Sequence, residues 1–362
     1  MKQGWEIKKL GEVCDIIGGS TPKTGEPSYW DGVHYWITPA ELDGSKYISS
    51  TSRTITDEGV KSAHLQLLPS GTVLLSSRAP IGKVAITTTP MYCNQGFKNL
   101  VCSNMLYNEF AYWFLYYNTE YLNSLGTGAT FKEISKRVVE QIPIPIPPRE
   151  EQERIVEELD CLSGVIEKKR EQLCELDALA QSIFYQIFGD PITNEKDWEV
   201  KKFEDCYKLA SGNGLSAKHI IDGDYPVYGG NGIVGYHHEY NLDGNNIIIG
   251  RVGALCGNVR NIEGKAFITD NAFILTKKID NDNVFLLHLL RIHNLRKYAR
   301  EAMQPVISNS GLKNIDIIIT PIALQQEFAN KIEAIEKQKE LIKQSITETD
   351  ELFNSRMDYY FN

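Results

Sequence analysis

The feature that most constrains the fold is an internal repeat. Trp5-Glu-Ile-Lys-Lys-Leu10 recurs as Trp198-Glu-Val-Lys-Lys-Phe203, an offset of 193. Pro147 followed by Glu151-Gln152-Glu153 recurs as Pro321 followed by Gln325-Gln326-Glu327, an offset of 174, and Ser182 and Phe188 recur as Ser355 and Phe361, an offset of 173. Self-similarity over such a distance indicates two copies of one structural plan.

Each copy ends in a segment of about 40 residues with an apolar residue at alternating steps of three and four, which predicts a long helix with a coiled-coil seam. The predicted helices cover 148–188 and 322–362. At 1.5 Å per residue each would be about 60 Å long. We expect them to pair antiparallel. The alternative is that each helix packs only on its own globular part. The predicted seam comprises Ile155, Leu159, Leu162, Ile166, Leu173, Leu176, Ile183, Ile187, Phe328, Ile332, Ile335, Ile342, Ile346 and Phe353.

The two remaining segments, 1–147 and 189–321, are predicted to be globular and strand-rich with some helix. Short apolar runs bounded by turn residues, such as 72–76 and 246–250, are typical of buried strands. The predicted fold class is therefore α+β (mixed α/β), with two similar domains joined by two long antiparallel helices and related by a pseudo-twofold axis. Domain boundaries are expected at 147/148, 188/189 and 321/322.

Net charge at first argues against a nucleic-acid ligand. The chain has 38 Lys plus Arg and 47 Asp plus Glu, a formal net charge of −9. The excess is confined, however, to 148–196 with −6 and to 322–362 with −3, while 1–147 and 197–321 are each neutral. The globular parts could therefore present a basic face to DNA.

Motifs for catalysis or cofactor binding are absent or out of context. Gly230-Asn-Gly-Ile-Val-Gly235 matches G-x-G-x-x-G, but no helix is predicted to follow it. His237-His238-Glu239 has no further ligand at metal spacing, and there is no P-loop or nucleophile elbow. We expect no catalytic residue, no metal and no cofactor in this chain. The seven cysteines include no C-x-x-C, and no apolar run suits an export signal or a membrane span, so reduced thiols and a cytoplasmic location are expected.

Both halves place an arginine in a loop of small residues directly after an apolar strand. Arginine can pair bidentately with guanine or phosphate, and small neighbours allow a close approach. A hairpin turn with a solvated arginine is the structural alternative. A polar flexible stretch also precedes the exit strand of each half, at 126–132 and at 304–310, and exposed aromatic-glycine loops are expected at Tyr29-Trp-Asp-Gly32 and Tyr228-Gly-Gly-Asn-Gly232. The candidate DNA-binding residues are Arg78, Lys83, Thr127, Thr130, Lys132, Tyr228, Asn231, Arg251, Asn258, Gln304, Ser308 and Asn309.

The doubled W-E-[IV]-K-K-[LF] entry, the proline-led openings of both long helices, and the Tyr-Gly-Gly-Asn-Gly and Gly-Arg-Val-Gly stretches resemble the specificity (S) subunits of type I restriction–modification systems. The resemblance implies two target-recognition domains that each read one half of a bipartite, asymmetric DNA site. It implies that the paired helices set the gap and dock two methyltransferase (M) subunits, which bind S-adenosylmethionine, and that restriction (R) motor-nuclease subunits join the complex.

Two other functions remain open from the residues alone. The chain could be a coiled-coil assembly protein that does not itself bind DNA. It could also be an enzyme with an unrecognised site.

Overall fold

The structure is a computed structural model that describes residues 4–128, 132–216, 218, 220, 223–300 and 303–362. The chain forms two compact units. Unit 1 comprises Met1–Lys168 and Ile346–Asn362, and unit 2 comprises Lys169–Ser345. Each unit therefore contains one globular part and a segment of each long helix.

The described residues of the first half of the chain form ten strands and six α-helices. The strands are β1 (Glu6–Lys9), β2 (Cys14–Gly18), β3 (Trp30–Ile37), β4 (Tyr47–Ile48), β5 (Thr54–Ile55), β6 (Val73–Ser77), β7 (Ile81–Thr87), β8 (Tyr92–Cys93), β9 (Lys98–Cys102) and β10 (Pro143–Ile146). The helices are α1 (Leu10–Val13), α2 (Asp57–Ser62), α3 (Asn108–Tyr117), α4 (Thr119–Ser124), α5 (Lys136–Glu140) and the long α6 (Arg149–Phe188).

The second half repeats this plan in a shorter form. Its strands are β11 (Glu199–Lys202), β12 (Tyr207–Ser211), β13 (Tyr225–Gly229), β14 (Gly232–His237), β15 (Asn246–Gly250), β16 (Val259–Ile262), β17 (Phe267–Ile268), β18 (Ala272–Lys277) and β19 (Asp316–Ile319). Its helices are α7 (Phe203–Cys206), α8 (Asn283–Ile292), α9 (Asn309–Leu312) and the long α10 (Ile322–Phe361).

Each unit has a main sheet, a small sheet and a two-stranded sheet. In unit 1 the main sheet has the strand order β2-β9-β6-β7-β4 and the small sheet the order β5-β3-β8. In unit 2 the main sheet has the order β12-β18-β15-β16 and the small sheet the order β14-β13-β17. In both small sheets a parallel pair is present, β3 with β8 and β13 with β17. The expected mixed α/β fold is confirmed.

The repeated W-E-[IV]-K-K motif forms the entry strand of each unit. β1 pairs antiparallel with β10, and β11 pairs antiparallel with β19. The next residue then starts a one-turn helix, where the Leu10 amide donates to the Ile142 carbonyl at 2.9 Å and the Phe203 amide donates to the Ile315 carbonyl at 2.8 Å. The motif thus fastens the entry of each globular part to its exit.

A glycine follows β2 and β12 because the backbone of the small sheet comes too close for a side chain. A Cβ at Gly19 would lie 2.0 Å from the Cys93 carbonyl oxygen, and one at Gly212 would lie 2.2 Å from that of Ile268. Such distances are far inside van der Waals contact, so only glycine allows the small sheet to pack there.

A buried glutamine opens each long helix. The Gln152 side chain accepts from the Tyr107 amide at 2.7 Å and donates to the Met105 and Pro147 carbonyls, both at 2.9 Å. The Gln325 side chain likewise accepts from the Asp282 amide at 2.9 Å and donates to the Thr320 carbonyl at 2.9 Å. The structural counterpart of Gln152 is therefore Gln325, so the sequence offset of 174 at this place is wrong and 173 holds through both helices.

The two long helices run antiparallel within each unit. In unit 1 the Arg356 guanidinium pairs with Glu158, and the Arg154 guanidinium lies 5.9 Å from the Tyr360 ring centroid. In unit 2, later residues of α6 likewise pair with earlier residues of α10. Lys169 Nζ donates to Ser345 Oγ at 2.6 Å, Lys339 Nζ lies 2.7 Å from Asp177 Oδ1, and the rings of Phe184 and Phe328 are 5.5 Å apart.

The helices pack on the globular parts as well as on each other. In unit 1 the Trp113 ring of α3 lies 5.5 Å from Phe353, and its Nε1 donates to Asp160 Oδ1 at 2.9 Å. In unit 2 the Phe285 ring of α8 lies 4.7 Å from Phe188 and 5.8 Å from Phe184. The sequence leaves helix pairing and packing on the globular part as alternatives, and both occur in the structure.

Half of the predicted seam residues are buried and the other half are half-buried. Ile155, Leu159, Ile166, Phe328, Ile332, Ile335 and Phe353 are buried, whereas Leu162, Leu173, Leu176, Ile183, Ile187, Ile342 and Ile346 are only half-buried. Near the end of α6, the fully buried residues are Phe184 and Phe188 instead of Ile183 and Ile187. The Phe184 and Phe188 rings contact α8 as well as α10. The most buried residues at this end of α6 therefore face both helices and not α10 alone.

No helix in the described ranges is long and apolar enough to span a membrane.

Candidate nucleic-acid interface

In unit 1, backbone pairing brings the candidate residues after β6 together with those after α4. Arg78 forms an isolated antiparallel bridge with Glu133. Thr127 pairs with the same residue, since the Thr127 amide donates to the Glu133 carbonyl at 3.1 Å and the Glu133 amide donates back at 3.0 Å. Arg78 is half-buried, while Thr127 and Lys132 are exposed. Thr130 lies outside the described residues.

Lys83 has a structural contact instead of a free charge. It lies in β7, where its Nζ donates to the Leu42 carbonyl at 2.6 Å and its amide donates to Ser76 Oγ at 2.8 Å. The side chain thus ties the main sheet to the segment before β4.

In unit 2 the same pairing pattern surrounds the loop after β15. Val252 and Arg300 both form bridges with Val306, and the Gly253 amide donates to the Pro305 carbonyl at 3.1 Å. Gln304 is exposed beside these bridges. Val306 therefore takes the place of Glu133, an offset of 173, so the predicted match of 126–132 with 304–310 is displaced by five residues.

Ser308 and Asn309 fix the start of α9. Ser308 Oγ accepts from the Gly311 amide at 3.2 Å, which is an N-terminal cap, and Asn309 Nδ2 donates to the Leu209 carbonyl at 3.4 Å. Ser135 caps α5 in the same way in unit 1. Ser308 is thus a capping residue with a structural role of its own.

The two candidate arginines are not at equivalent positions. The Ser77 amide donates to the Gly96 carbonyl at 2.7 Å, and its own carbonyl accepts from Ile134 at 3.0 Å. In unit 2 the Arg251 amide donates to the Asn271 carbonyl at 2.8 Å, and its carbonyl accepts from Ile307 at 2.9 Å. Arg251 therefore matches Ser77, and Arg78 is displaced from it by one residue. We call Ser77, Arg78, Lys98 and Glu133 the unit 1 corner, and Ser211, Arg251, Asp270 and Phe273 the unit 2 corner.

At each corner a cation lies beside a serine, but it comes from a different element. In unit 1 it is Lys98 of β9, whose Nζ lies 3.3 Å from Ser77 Oγ and is paired with Glu133 Oε1 at 3.1 Å. Lys98 is opposite Gly18 in the β2–β9 ladder, just as Phe273 is opposite Ser211 in the β12–β18 ladder. Phe273 therefore takes the place of the lysine in unit 2, where the cation is Arg251.

The Arg251 guanidinium is loosely held, and no carboxylate of the described residues pairs with it. Its carbon lies 5.4 Å from the Phe273 ring centroid, and its Nη1 donates weakly, at 3.4 Å, to Ser211 Oγ and to the Asp270 carbonyl. Its Nε is buried and has no hydrogen-bond acceptor among the described residues. A guanidinium with open donors beside a sheet end is suited to an incoming anion or base edge.

Asn231 and Asn258 hold the loop that carries Arg251, whereas Tyr228 lies in the small sheet of unit 2. Tyr228 is half-buried in β13, and its carbonyl accepts from Thr269 at 2.9 Å. Asn231 Oδ1 accepts from the Leu255 amide at 3.3 Å, and the Asn258 carbonyl accepts from Gly250 at 2.9 Å. The glycine-rich stretch at 230–235 continues into strand β14, as expected from the absence of a helix signal.

The sequence interpretation missed a basic segment beside the unit 2 corner. Arg296, Lys297 and Arg300 are exposed. A Cβ at Gly257, where φ is +85°, would lie 2.5 Å from the Arg296 amide nitrogen, so this segment packs directly on the Arg251 loop. The interleaved basic residues at 291–300 were the signal that could have indicated it. Within the described ranges, no group of three or more His, Cys, Asp and Glu residues could hold a metal ion.

The sequence matches the family of the type I restriction modification DNA specificity domain, once over residues 2–176 and again over 195–350. The chain belongs to this family. Both halves of the internal repeat are thus copies of the specificity domain, and the resemblance found in the sequence is confirmed.

Relatives of known name are specificity subunits. The type I restriction enzyme MjaIX specificity subunit of Methanocaldococcus jannaschii is 37% identical over 235 residues, covering 60% of this chain and 54% of the relative. The EcoprrI specificity subunit of Escherichia coli is 28% identical over 368 residues, covering 96% and 90%. The chain therefore spans about half the length of the first relative and nine tenths of the second.

The fold is that of a solved type I restriction–modification S subunit from M. genitalium. The TM-score is 0.63 at 17% identity, with 100% of this chain and 98% of that chain covered. At this identity the comparison concerns the fold.

Proposed function

We propose that this specificity subunit reads a bipartite, asymmetric DNA site, with one half-site contacted at the unit 1 corner and the other at the unit 2 corner. The chain itself carries no chemistry in this proposal. Methylation belongs to two methyltransferase subunits that bind S-adenosylmethionine, cleavage belongs to restriction motor-nuclease subunits, and the complex acts on DNA in the cytoplasm.

The observation that carries the proposal is the open guanidinium of Arg251. Its Nε has no acceptor among the described residues, and no carboxylate among them forms an ion pair with it. A buried donor without an acceptor costs free energy, which an incoming phosphate or guanine would recover. Exposed Arg296, Lys297 and Arg300 extend the positive charge along the same surface. Such a concentration of arginine and lysine favours a DNA partner over a protein partner here.

The unlike corners support an asymmetric target. In unit 1 Lys98 is paired with Glu133, whereas in unit 2 no acid of the described residues is paired with Arg251. Two surfaces with different charge and donor patterns would read different base sequences.

The acidic excess of the long helices supports their role in docking partner subunits. The net charge of −9 is confined to 148–196 and 322–362. Acidic surfaces repel DNA phosphates, so protein partners suit these helices better.

The experiment uses the complex of this subunit with its methyltransferase partners. This complex selects DNA duplexes from a library in which the central sequence is randomised. We expect one enriched sequence in two parts. Arg251→Gln should weaken binding to the selected duplex by about 5- to 140-fold, if a bidentate base contact is lost, with loss of preference in one part only. Arg78→Gln should affect the other part.

Lys201→Gln serves as the matched control, because Lys201 is an exposed cation of unit 2 on the two-stranded sheet, paired with Glu199. It should leave binding nearly unchanged. If the wild-type complex assembles but enriches no sequence, the chain is an assembly protein and the proposal fails.

A further inference from the structure

The small sheet of unit 1 contains a rigid pair of tryptophans. The rings of Trp30 and Trp36 meet edge to face, with centroids 5.1 Å apart and an interplanar angle of 82°. Trp30 Nε1 donates to the Lys23 carbonyl and Trp36 Nε1 to the Ser20 carbonyl, both at 3.1 Å. Trp30 is 8% exposed and begins β3, so the expectation of an exposed aromatic-glycine loop at 29–32 is wrong.

Arg53 lies on this pair. Its guanidinium carbon is 3.7 Å from the Trp30 ring centroid and 5.5 Å from that of Trp36. The backbone is equally fixed, because the Arg53 carbonyl accepts from the Trp36 amide at 3.2 Å and from Thr51 Oγ1 at 2.6 Å. Stacking on an aromatic face orients the planar guanidinium and lowers the entropy it would lose on binding.

The donors of Arg53 are nevertheless open. Across the described part of the chain, no side-chain hydrogen bond or ion pair is formed by its guanidinium, although the residue is exposed. Neighbouring carboxylates have other partners. Glu41 Oε1 accepts from the Ser52 amide at 2.7 Å, and Asp57 Oδ1 is bonded to His34 at 2.8 Å, a contact that also lowers the pKa of Asp57.

The small sheet of unit 2 carries a similar arrangement on different residues. Lys265 Nζ lies 4.6 Å from the Tyr240 ring centroid and 5.9 Å from that of Tyr225, and the two rings are 5.1 Å apart. Tyr225 begins β13, as Trp30 begins β3, and these are the strands that form the parallel pair of each small sheet. No ion pair to Lys265 is formed by any carboxylate in the described ranges.

We propose that Arg53 and Lys265 are additional DNA contacts, one in each unit, on the small sheets and separate from the two corners. This inference rests on the proposed function and assigns residues to it. A fixed guanidinium with two free parallel N–H groups fits a pair of acceptors, either O6 and N7 of guanine or two phosphate oxygens. The ammonium of Lys265 is a point charge and fits a phosphate.

A stacked cation suits this role better than a purely structural one. A structural arginine would use its donors on carbonyls or carboxylates of its own chain. The face of the Arg53 guanidinium instead stacks on Trp30, and the N–H groups at its edge have no acceptor among the described residues. Those N–H groups are therefore available to a partner. The occurrence of the same combination in both units, built from different residue types, argues against chance.

The test uses the full chain in complex with its methyltransferase partners and the duplex selected by the wild-type complex. Arg53→Gln should reduce affinity by about 5- to 140-fold if a bidentate base contact is lost. Arg53→Lys keeps the positive charge but loses the two parallel N–H groups, so it should retain the wild-type affinity only if the contact is to phosphate. Lys61→Gln is the matched control, because Lys61 is an exposed cation at the end of α2 in the same unit.

Two results would support the inference and identify the acceptor. Loss of preference at one position of a single half-site indicates a base contact, whereas uniform weakening with a salt slope smaller by about one indicates a phosphate contact. Lys265→Met should give the phosphate pattern and Lys265→Arg should retain binding. The inference is overturned if Arg53→Gln and Lys265→Met leave the affinity, the sequence preference and the salt slope unchanged. Specific binding by the wild-type complex would in that case still support the proposed function. Melting temperatures of the variants show whether each remains folded.

Discussion

At the scale of single residues, the buried glutamines show how a helix start can be specified by one side chain. Gln152 is fully buried and satisfies one amide and two carbonyls. Leucine has a similar volume but can neither donate nor accept. Leaving such backbone groups buried without partners costs about 1–3 kcal/mol.

We therefore predict that Gln152→Leu lowers the free energy of unfolding of unit 1 by at least about 1–3 kcal/mol, since more than one group is left unpaired. Hydrogen exchange of α3 and of the start of α6 would measure it. Glu150→Ala is the control, because Glu150 is exposed two residues away. Equal protection in both variants would contradict the assigned role of Gln152.

A second residue-scale prediction concerns His288 of α8, which packs against Phe328 with ring centroids 5.2 Å apart. Burial, assisted by the charge of Arg291, lowers the pKa of His288 to about 4. An unfolded histidine titrates near 6.5, so between these values the unfolded state binds more protons than the folded state. The free energy of unfolding of unit 2 should therefore fall as pH drops from about 6.5 toward 4.

The measurement is hydrogen exchange of unit 2 amides over that pH range, corrected for the intrinsic exchange rate. His288→Asn removes the titrating group and should flatten the pH dependence. A second histidine of unit 2, His293, is buried and its pKa is also lowered to about 4 by burial, so part of the pH dependence should remain. His64→Asn in unit 1, where His64 is exposed, should leave the unit 2 profile unchanged.

At the scale of elements, the long helices were the most predictable part of the chain. Their apolar spacing and proline boundaries predicted 148–188 and 322–362, and the helices span Arg149–Phe188 and Ile322–Phe361. What the spacing could not predict is which apolar line is buried deepest. That depends on α8, which lies far away in sequence and adds a third surface beside Phe184 and Phe188.

This difference gives a prediction with a matched pair of variants. Phe184→Ala should destabilise unit 2 by about 3–5 kcal/mol, because a fully buried aromatic side chain is removed from between three other rings. Ile183→Ala, at the half-buried neighbouring position, should cost clearly less. Chemical denaturation followed by hydrogen exchange of α8 would compare them. Equal losses of stability in the two variants would contradict this prediction and would favour Ile183 as a seam residue, as the sequence predicts.

The candidate site was predictable as loops but not as contacts. Duplication in the sequence predicts an arginine loop and a polar loop in each half, and backbone bridges join Arg78 to Glu133 in unit 1 and Val252 to Val306 in unit 2. The one-residue displacement between Arg78 and Arg251 could not be seen, because it depends on ladder register. Nor could the stacked Arg53, whose partner Trp30 is 23 positions away and whose residue type carries no periodic signal.

At the scale of the whole molecule, the two units share both long helices. If these helices set the gap between half-sites, seven residues inserted after Lys168 and seven after Ser345 should change the gap and preserve both half-site sequences. Seven residues keep the seam in phase, since they make two turns of a coiled coil. Duplex selection by the complex would measure this. Insertion of seven residues in α6 alone should disrupt pairing, and altered half-site sequences in the double insertion would contradict modular reading.

The division of the chain also has a consequence for how the protein is made. Unit 2 is one continuous segment, Lys169–Ser345, and all of its buried side chains can meet once that segment has left the ribosome. Unit 1 needs Ile346–Asn362, because Phe353, Met357 and Tyr360 complete the core begun by Ile155 and Leu159. The unit synthesised first is therefore finished last. During translation the apolar surface of unit 1 stays uncovered until the last turns of α10 have been synthesised. In that interval the nascent chain is open to aggregation and to chaperone binding.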